Sequence, residues 1–138
     1  MSKRVFGIPR DSLEEWWPHV EPHLKRFEVE VGEISAEYIR DLADNAEAQV
    51  WAFGDENGTS GVAVTQVRQL LRGRVLVVWV AVGDIREAFE TGIQEFERWG
   101  QSIGCRYVEI IGRHGWERAL PGYKRRAVVL HKPLEAIH

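Results

Sequence analysis

Cysteine is nearly absent. Cys105 is the one thiol in 138 residues, so no internal disulfide can form and the fold has to rest on a packed core. Long apolar runs are missing too. Val75–Val82, eight residues, falls far short of the about 20 needed to span a bilayer. The basic start, MSKRVFGIPRDS, leads into no long apolar stretch, which argues against a secretory signal peptide. Charge of one sign is not in excess: 18 Lys and Arg stand against 21 Asp and Glu, a net of −3. That balance gives no electrostatic case for nucleic-acid binding. Repeats and low-complexity segments are also lacking. What remains is the expectation of a single soluble domain over residues 1–138, with 1–10 as an arm or short strand and a reducing compartment around it.

The residues present alternate between helical and extended patterns. Ser12 and Glu15 have capping-box spacing, and Trp17, Val20, Leu24 and Phe27 follow on one helical face. Pro22 removes an interior hydrogen bond, so a kinked or split helix is expected, ending at Gly32. Ser35 is an N-cap for a second helix through about Ala46. Gln49–Gly54 and Ser60–Leu70 read as two strands joined by the turn Asp55-Glu56-Asn57-Gly58. Val75–Val82 is apolar without alternation, as in a central strand covered on both faces. Ile85–Ile103 is the clearest amphipathic helix and stops at Gly104. A strand over Arg106–Gly112, a short helix over Gly115–Leu120 and a last strand over Arg126–Leu134 complete the order. The fold class is α/β (α+β), with a mixed, mainly antiparallel sheet of about six strands and helices on both faces.

Three features resemble the GNAT (N-acetyltransferase) superfamily from about Leu13 onward. Two antiparallel strands precede the very apolar Val75–Val82, which would be that family's fourth strand. A long amphipathic helix ends in Ile103-Gly104-Cys105. Gly115-Trp-Glu-Arg-Ala-Leu-Pro-Gly-Tyr123 looks like the short helix and Gly-aromatic turn that precede the last hairpin. The stretch Gly104–Trp116, continuing to Val128-Val-Leu-His-Lys132, is similar to GNAT-like proteins of bacteriophages and prophages. The resemblance implies acyl-coenzyme A as cofactor, with the backbone of Val80, Ala81, Val82 and Gly83 taking the pantetheine arm.

The chain departs from the family where the coenzyme pyrophosphate would bind. The family uses a glycine-containing loop there, because glycine lets backbone N–H groups face phosphate at a helix N-terminus. Here Val82-Gly-Asp-Ile-Arg-Glu-Ala88 is shorter and holds one glycine, Gly83. Asp84 is the natural cap, and a carboxylate both satisfies the free N–H groups and repels an anion. The family's general-acid tyrosine would fall on Arg118, so that role is not carried over.

Candidates for chemistry each have an ordinary alternative. Glu109 in a strand could position a water or simply face solvent. His114, between a strand and a helix, is a base if neutral or else a solvated loop residue. Tyr123 belongs to the Gly-aromatic turn. His19 and His23 have the four-residue spacing of two metal ligands, yet no further ligands complete a site, and no metal is expected. Cys105 reads as a small buried hydrophobe. Arg113, Arg118, Lys124, Arg125 and Arg126 form a basic edge. The six tryptophans divide. Trp51, Trp79 and Trp99 belong in the core, while adjacent Trp16 and Trp17 cannot both bury on one side. Either a partner protein or a second copy covers Trp16, or the N-terminal arm does.

Two readings follow. The first is a divergent GNAT-fold protein of phage or prophage origin that acts through protein contacts, virion-associated, in assembly or on the host. It has no cofactor and is located in the host cytoplasm or the virion. The alternative is an acyl-coenzyme-A-dependent N-acetyltransferase with an altered cofactor loop, using acetyl-coenzyme A.

Overall fold

The computed structural model describes residues 4–83, 85–112 and 116–136, without the side chains of 85–89, 91 and 117. Five strands form one sheet in sequence order: β1 (Arg4–Gly7), β2 (Gln49–Asp55), β3 (Gly58–Leu70), β4 (Gly73–Gly83) and β5 (Cys105–Ile110). The first three junctions are antiparallel and β4–β5 is parallel. Helices α1 (Leu13–Val31) and α2 (Ala36–Asp44) precede β2, α3 (Ile85–Ser102) crosses from β4 to β5, and α4 (Trp116–Ala119) follows β5.

The alternation of each strand divides the core in two. Val50 and Ala52 of β2, with Val62 and Val64 of β3, face Val20 and Leu24 of α1 and Ile39 and Ala43 of α2. Trp51, Phe53 and Ala63 point the other way, toward Ile93 and Phe96 of α3. Trp51 sits edge-on to Phe96 at 4.8 Å and to Trp99 at 5.7 Å. Its indole N–H donates to Thr65 Oγ1 at 2.9 Å, and the Thr65 hydroxyl donates to Gln49 Oε1 at 2.9 Å. This chain satisfies Thr65, the one buried polar residue among those described.

Several expectations need correction. α1 runs unbroken through Pro18 and Pro22. Its fully buried Val20 and Leu24 hold both halves against the sheet, and that burial outweighs the hydrogen bond lost at Pro22. Ser12 makes no capping hydrogen bond, because a 3-10 turn over Arg10–Ser12 leads into the helix. Ser35 does cap α2, accepting from Tyr38 N–H at 3.0 Å, and α2 stops at Asp44, before Ala46 with its φ of 60°. The strand expected at Arg126–Leu134 is absent. Residues 123–136 form neither helix nor strand, so the described sheet has five strands and not six.

Gly92 sets how closely α3 approaches the sheet. A Cβ there would lie 2.3 Å from Val5 Cγ2 and 3.0 Å from Phe53 Cε1. Gly92→Ala should therefore destabilise the fold by about 1–3 kcal/mol through overpacking, despite the better helix propensity of alanine. Urea unfolding of the two proteins measures this, and a variant as stable as the parent would show that α3 can shift freely.

Candidate functional site

The site begins with an irregularity in β4. Val64 pairs with Val80 and Thr65 with Val78, which leaves Trp79 as an extra residue, a β-bulge. The bulge reverses the facing of β4. Before it, Leu76 and Val78 pack toward α3; after it, Val80 and Val82 pack toward α1 and α2. β5 accompanies β4 only as far as Val78, opposite Ile110, and Ile111 N–H donates to Val78 O at 3.1 Å. Beyond that point β4 remains paired with β3 through Gly83 opposite Gly61. Among the described residues, no strand lies on its other side. The two parallel strands thus part at Trp79, and the last residues of β4 present backbone amides to the gap.

Gly83 closes this segment with φ 101°, and a Cβ there would meet Ser60 O at 2.3 Å, so the position admits only glycine. Val80 and Val82 are buried, while Ala81 and Gly83 are half-buried. The four residues named from sequence are therefore contiguous at the open part of β4. Asp84, the expected cap, lies outside the described residues.

Trp79 is half-buried and meets Tyr38 edge-to-face at 6.5 Å. Tyr38, in the first turn of α2, is 51% exposed. It also lines a groove of 420 Å³ between the end of α1 and the start of α2, with Glu28, Glu33 and Ser35. Glu28 accepts a hydrogen bond from Ala36 N–H at 3.1 Å and lies 3.7 Å from Lys25 Nζ. A second groove, of 620 Å³, is walled by Phe6, Trp16 and His19 and carries Arg4, Asp55 and Glu56 at its edge. Sequence reasoning missed Tyr38 and placed Trp79 simply in the core. A bulge has no local sequence signal, so the turning of Trp79 toward α2 was not readable.

The catalytic candidates are not brought together. Val108 and Ile110 of β5 pack toward α3, so Glu109, between them, points to the opposite face and is exposed. Tyr123 is on the α3 side, where its hydroxyl donates to Glu97 Oε2 at 2.7 Å. Burial first, then this hydrogen bond, raises the Tyr123 phenol far above its ordinary value of 10.0, so it stays protonated across the physiological range. His114 and Arg113 lie outside the described residues. Burial pushes the Cys105 thiol up, with Arg74 opposing, which removes it as a thiolate nucleophile near neutrality. His23 Nε2 lies 3.2 Å from Thr59 O, and His19 meets the Trp16 ring at 5.8 Å, so the two histidines have separate surroundings. Arg118, Lys124, Arg125 and Arg126 are exposed.

Both N-terminal tryptophans have contacts within the chain. Trp16 packs edge-on against Phe6 of β1 at 4.6 Å. Trp17 donates its indole N–H to Glu21 Oε2 at 2.9 Å and lies under the Arg40 guanidinium at 5.1 Å. Arg40 in turn reaches Glu14 at 2.8 Å and Asp44 at 3.0 Å, joining α1 to α2.

The chain matches no protein-family model and no curated protein, and its likeness to known proteins is one of shape. An aminoglycoside acetyltransferase from an uncultured soil metagenomic sample, solved with sisomicin, superposes with TM-score 0.67 at 13% identity, covering 96% of this chain and 97% of that one. The aminoglycoside N-acetyltransferase AAC(6')-Iy in complex with CoA gives TM-score 0.66 at 13% identity, covering 95% and 94%. Glucosamine-6-phosphate N-acetyltransferase from Arabidopsis thaliana gives 0.62 at 10%, covering 98% and 100%. The chain has the GNAT fold. No described helix is long and apolar enough to cross a membrane.

Two measurements test these placements. Ionising Tyr123 is disfavoured in the folded chain, whereas the unfolded tyrosine ionises near pH 10. Stability is therefore unaffected by this group below about pH 10 and falls as pH rises from there toward the folded pKa. Chemical unfolding at pH 8 and pH 11 should show a smaller alkaline loss in Tyr123→Phe than in the parent. At pH 8 the variant should be weaker by about 1 kcal/mol for the lost hydrogen bond. Trp16→Ala should cost roughly 2 kcal/mol, less than a fully buried aromatic. A melting temperature that stays put while the particle mass falls would return Trp16 to the role of a partner contact.

Proposed function

We propose that this chain is an acyl-coenzyme-A-dependent N-acyltransferase with an altered cofactor loop. The observation that carries the reading is the bulge at Trp79, after which Val80–Gly83 stand beside β3 but free of β5. An open strand edge offers alternating N–H and C=O groups, and the pantetheine arm, an amide-bearing chain, has the complementary groups to pair with them. The solved neighbours named above are acetyltransferases, one of them with CoA, and this favours the enzymatic reading over one based on contacts alone. It also removes the ground for expecting no cofactor. Nothing in the names of those three supports the phage or prophage resemblance.

Acyl-coenzyme A would supply the activated thioester. The backbone of Val80–Gly83 would hold its arm in the gap, with Gly83 allowing β3 and β4 to close beneath it. The chain's main contribution is alignment of an amine with the acyl group, which can account for a large part of such a rate. Trp79 and Tyr38 form an aromatic wall next to the acidic groove of Glu28 and Glu33, a place suited to a cationic amine. Tyr123, protonated and bound to Glu97, serves as a fixed structural donor in this reading.

Calorimetric titration with acetyl-coenzyme A tests the proposal. Saturable binding at tens of micromolar or tighter is expected, about −6 kcal/mol or better. Removing the carboxylate in Asp84→Gly should tighten binding by roughly fivefold, about the 1 kcal/mol that one charge is worth at a helix N-terminus. Absence of binding in both proteins would sink the proposal and leave a contact role as the better account.

A further inference from the structure

The hairpin between β3 and β4 ends in residues that neither core uses. Gln66-Val-Arg-Gln-Leu-Leu-Arg-Gly-Arg74 holds three arginines, two adjacent leucines and no carboxylate, within a chain whose net charge is −3. Pairing ends where Leu70 meets Gly73, so Leu71 and Arg72 form the turn, and Gly73 closes it with φ 133°. Leu70 is 53% exposed and Leu71 is 101% exposed. One exposed leucine is ordinary. Two in succession at the apex of a hairpin, rimmed by polar groups, have the character of a contact surface.

Cations form a collar behind that apex. Arg68 lies two residues before Leu70, about 7 Å back along β3. Val67 packs on the α3 side, so Arg68 faces the other way, while Arg74 shares the α3 face with Leu76. Arg72 is in the turn itself. Arg106 of β5 lies across Gly73 and donates to Arg72 O at 2.7 Å, and Arg74 donates to Ile103 O at 2.9 Å. These acceptors are neutral carbonyls, so they orient the guanidinium groups without cancelling their charge. All four arginines are exposed, and among the described residues none of them forms an ion pair.

We propose that this hairpin tip docks on a bilayer surface containing anionic phospholipid. Leu70 and Leu71 enter the boundary between headgroups and acyl chains, and Arg68, Arg72, Arg74 and Arg106 meet the headgroup phosphates. The order of chemistry along the hairpin, apolar at the apex and cationic behind it, matches the order of a bilayer entered from water, phosphate outside and hydrocarbon within. Guanidinium groups suit phosphate because their forked donors can bond two of its oxygens. A nucleic-acid backbone would satisfy the arginines but offers the leucines no apolar layer. This is attachment to a surface, in keeping with the lack of any described helix able to cross a membrane. The tip is at the opposite end of β4 from Val80–Gly83, so docking leaves the gap beside β5 uncovered. The inference does not depend on the acyl-transfer reading.

The test is co-sedimentation of the full chain with phosphatidylcholine vesicles, with and without phosphatidylglycerol. The parent should sediment with the anionic vesicles alone, and added salt should weaken the binding. Arg68→Gln and Arg72→Gln should each weaken it roughly fivefold, the worth of one basic residue near an anionic surface. Leu70→Ser combined with Leu71→Ser should abolish it, whereas Leu71→Phe should keep it. Lys124→Gln, an equal loss of charge away from the tip, should leave binding unchanged. Circular dichroism and melting temperature should be those of the parent throughout, because the substituted side chains are exposed and outside both cores. Failure to bind anionic vesicles, equal binding to neutral ones, or indifference to the paired leucine change would each overturn the proposal. A fluorescent RNA oligonucleotide held through Arg68 and Arg72, with no vesicle bound, would overturn it in favour of a nucleic-acid contact.

Discussion

β4 belongs to two cores at once, and the rest of the structure depends on how it changes from one to the other. Leu76 and Val78 fill the space under α3; Val80 and Val82 fill the space under α1 and α2. A regular strand cannot do this, because its side chains alternate with a fixed period. The extra residue, Trp79, makes the reversal possible by placing two consecutive side chains toward α1 and α2. Burial enforces the arrangement: Leu76, Val78, Val80 and Val82 are all 3% exposed or less. A one-residue slip would move these apolar groups to the wrong face.

The same reversal shapes the gap. β5 can follow β4 only while both keep the same twist, and the bulge changes the path of β4 just beyond Val78. Pairing ends there. The open edge at Val80–Gly83 is therefore a by-product of core packing and needs no dedicated polar residue. Thr65, opposite Val78, supports the turn of the strand. It is fully buried, and Trp51 and Gln49 satisfy its hydroxyl. A buried hydroxyl without those partners would cost about 1–3 kcal/mol.

How much of this was legible depends on what each residue encodes locally. The unbroken apolar run at Val75–Val82 announced a central strand, and the face of Ile93, Phe96 and Trp99 announced α3. Ser35 announced the start of α2 because a cap is a local device. Pro22 misled, since the loss of one hydrogen bond is local while the burial of Val20 and Leu24 that outweighs it is tertiary. The run at Val128–Leu130 misled in the opposite sense: its composition favours a strand, but a strand also needs an edge to pair with. The four residues Val80–Gly83 were named through resemblance; in the structure they are the part of β4 that lies beyond its pairing with β5. Tyr38 gave no signal, because its relation to Trp79 exists only once the bulge has turned that ring toward α2.

The two halves of the proposed coenzyme site make different demands on the sequence. Strand-edge pairing uses backbone groups, so its chemistry is indifferent to side chains provided that the strand is bulged and its neighbour ends early. Phosphate binding at a helix start depends on sequence, because it needs glycine to expose N–H groups and tolerates a carboxylate poorly. Substitution can therefore erode the second half while the first persists, held in place by the core. If the chain binds acyl-coenzyme A as proposed, the carboxylate of Asp84 would weaken the hold on the charged cofactor tail and spare the strand edge at Val80–Gly83.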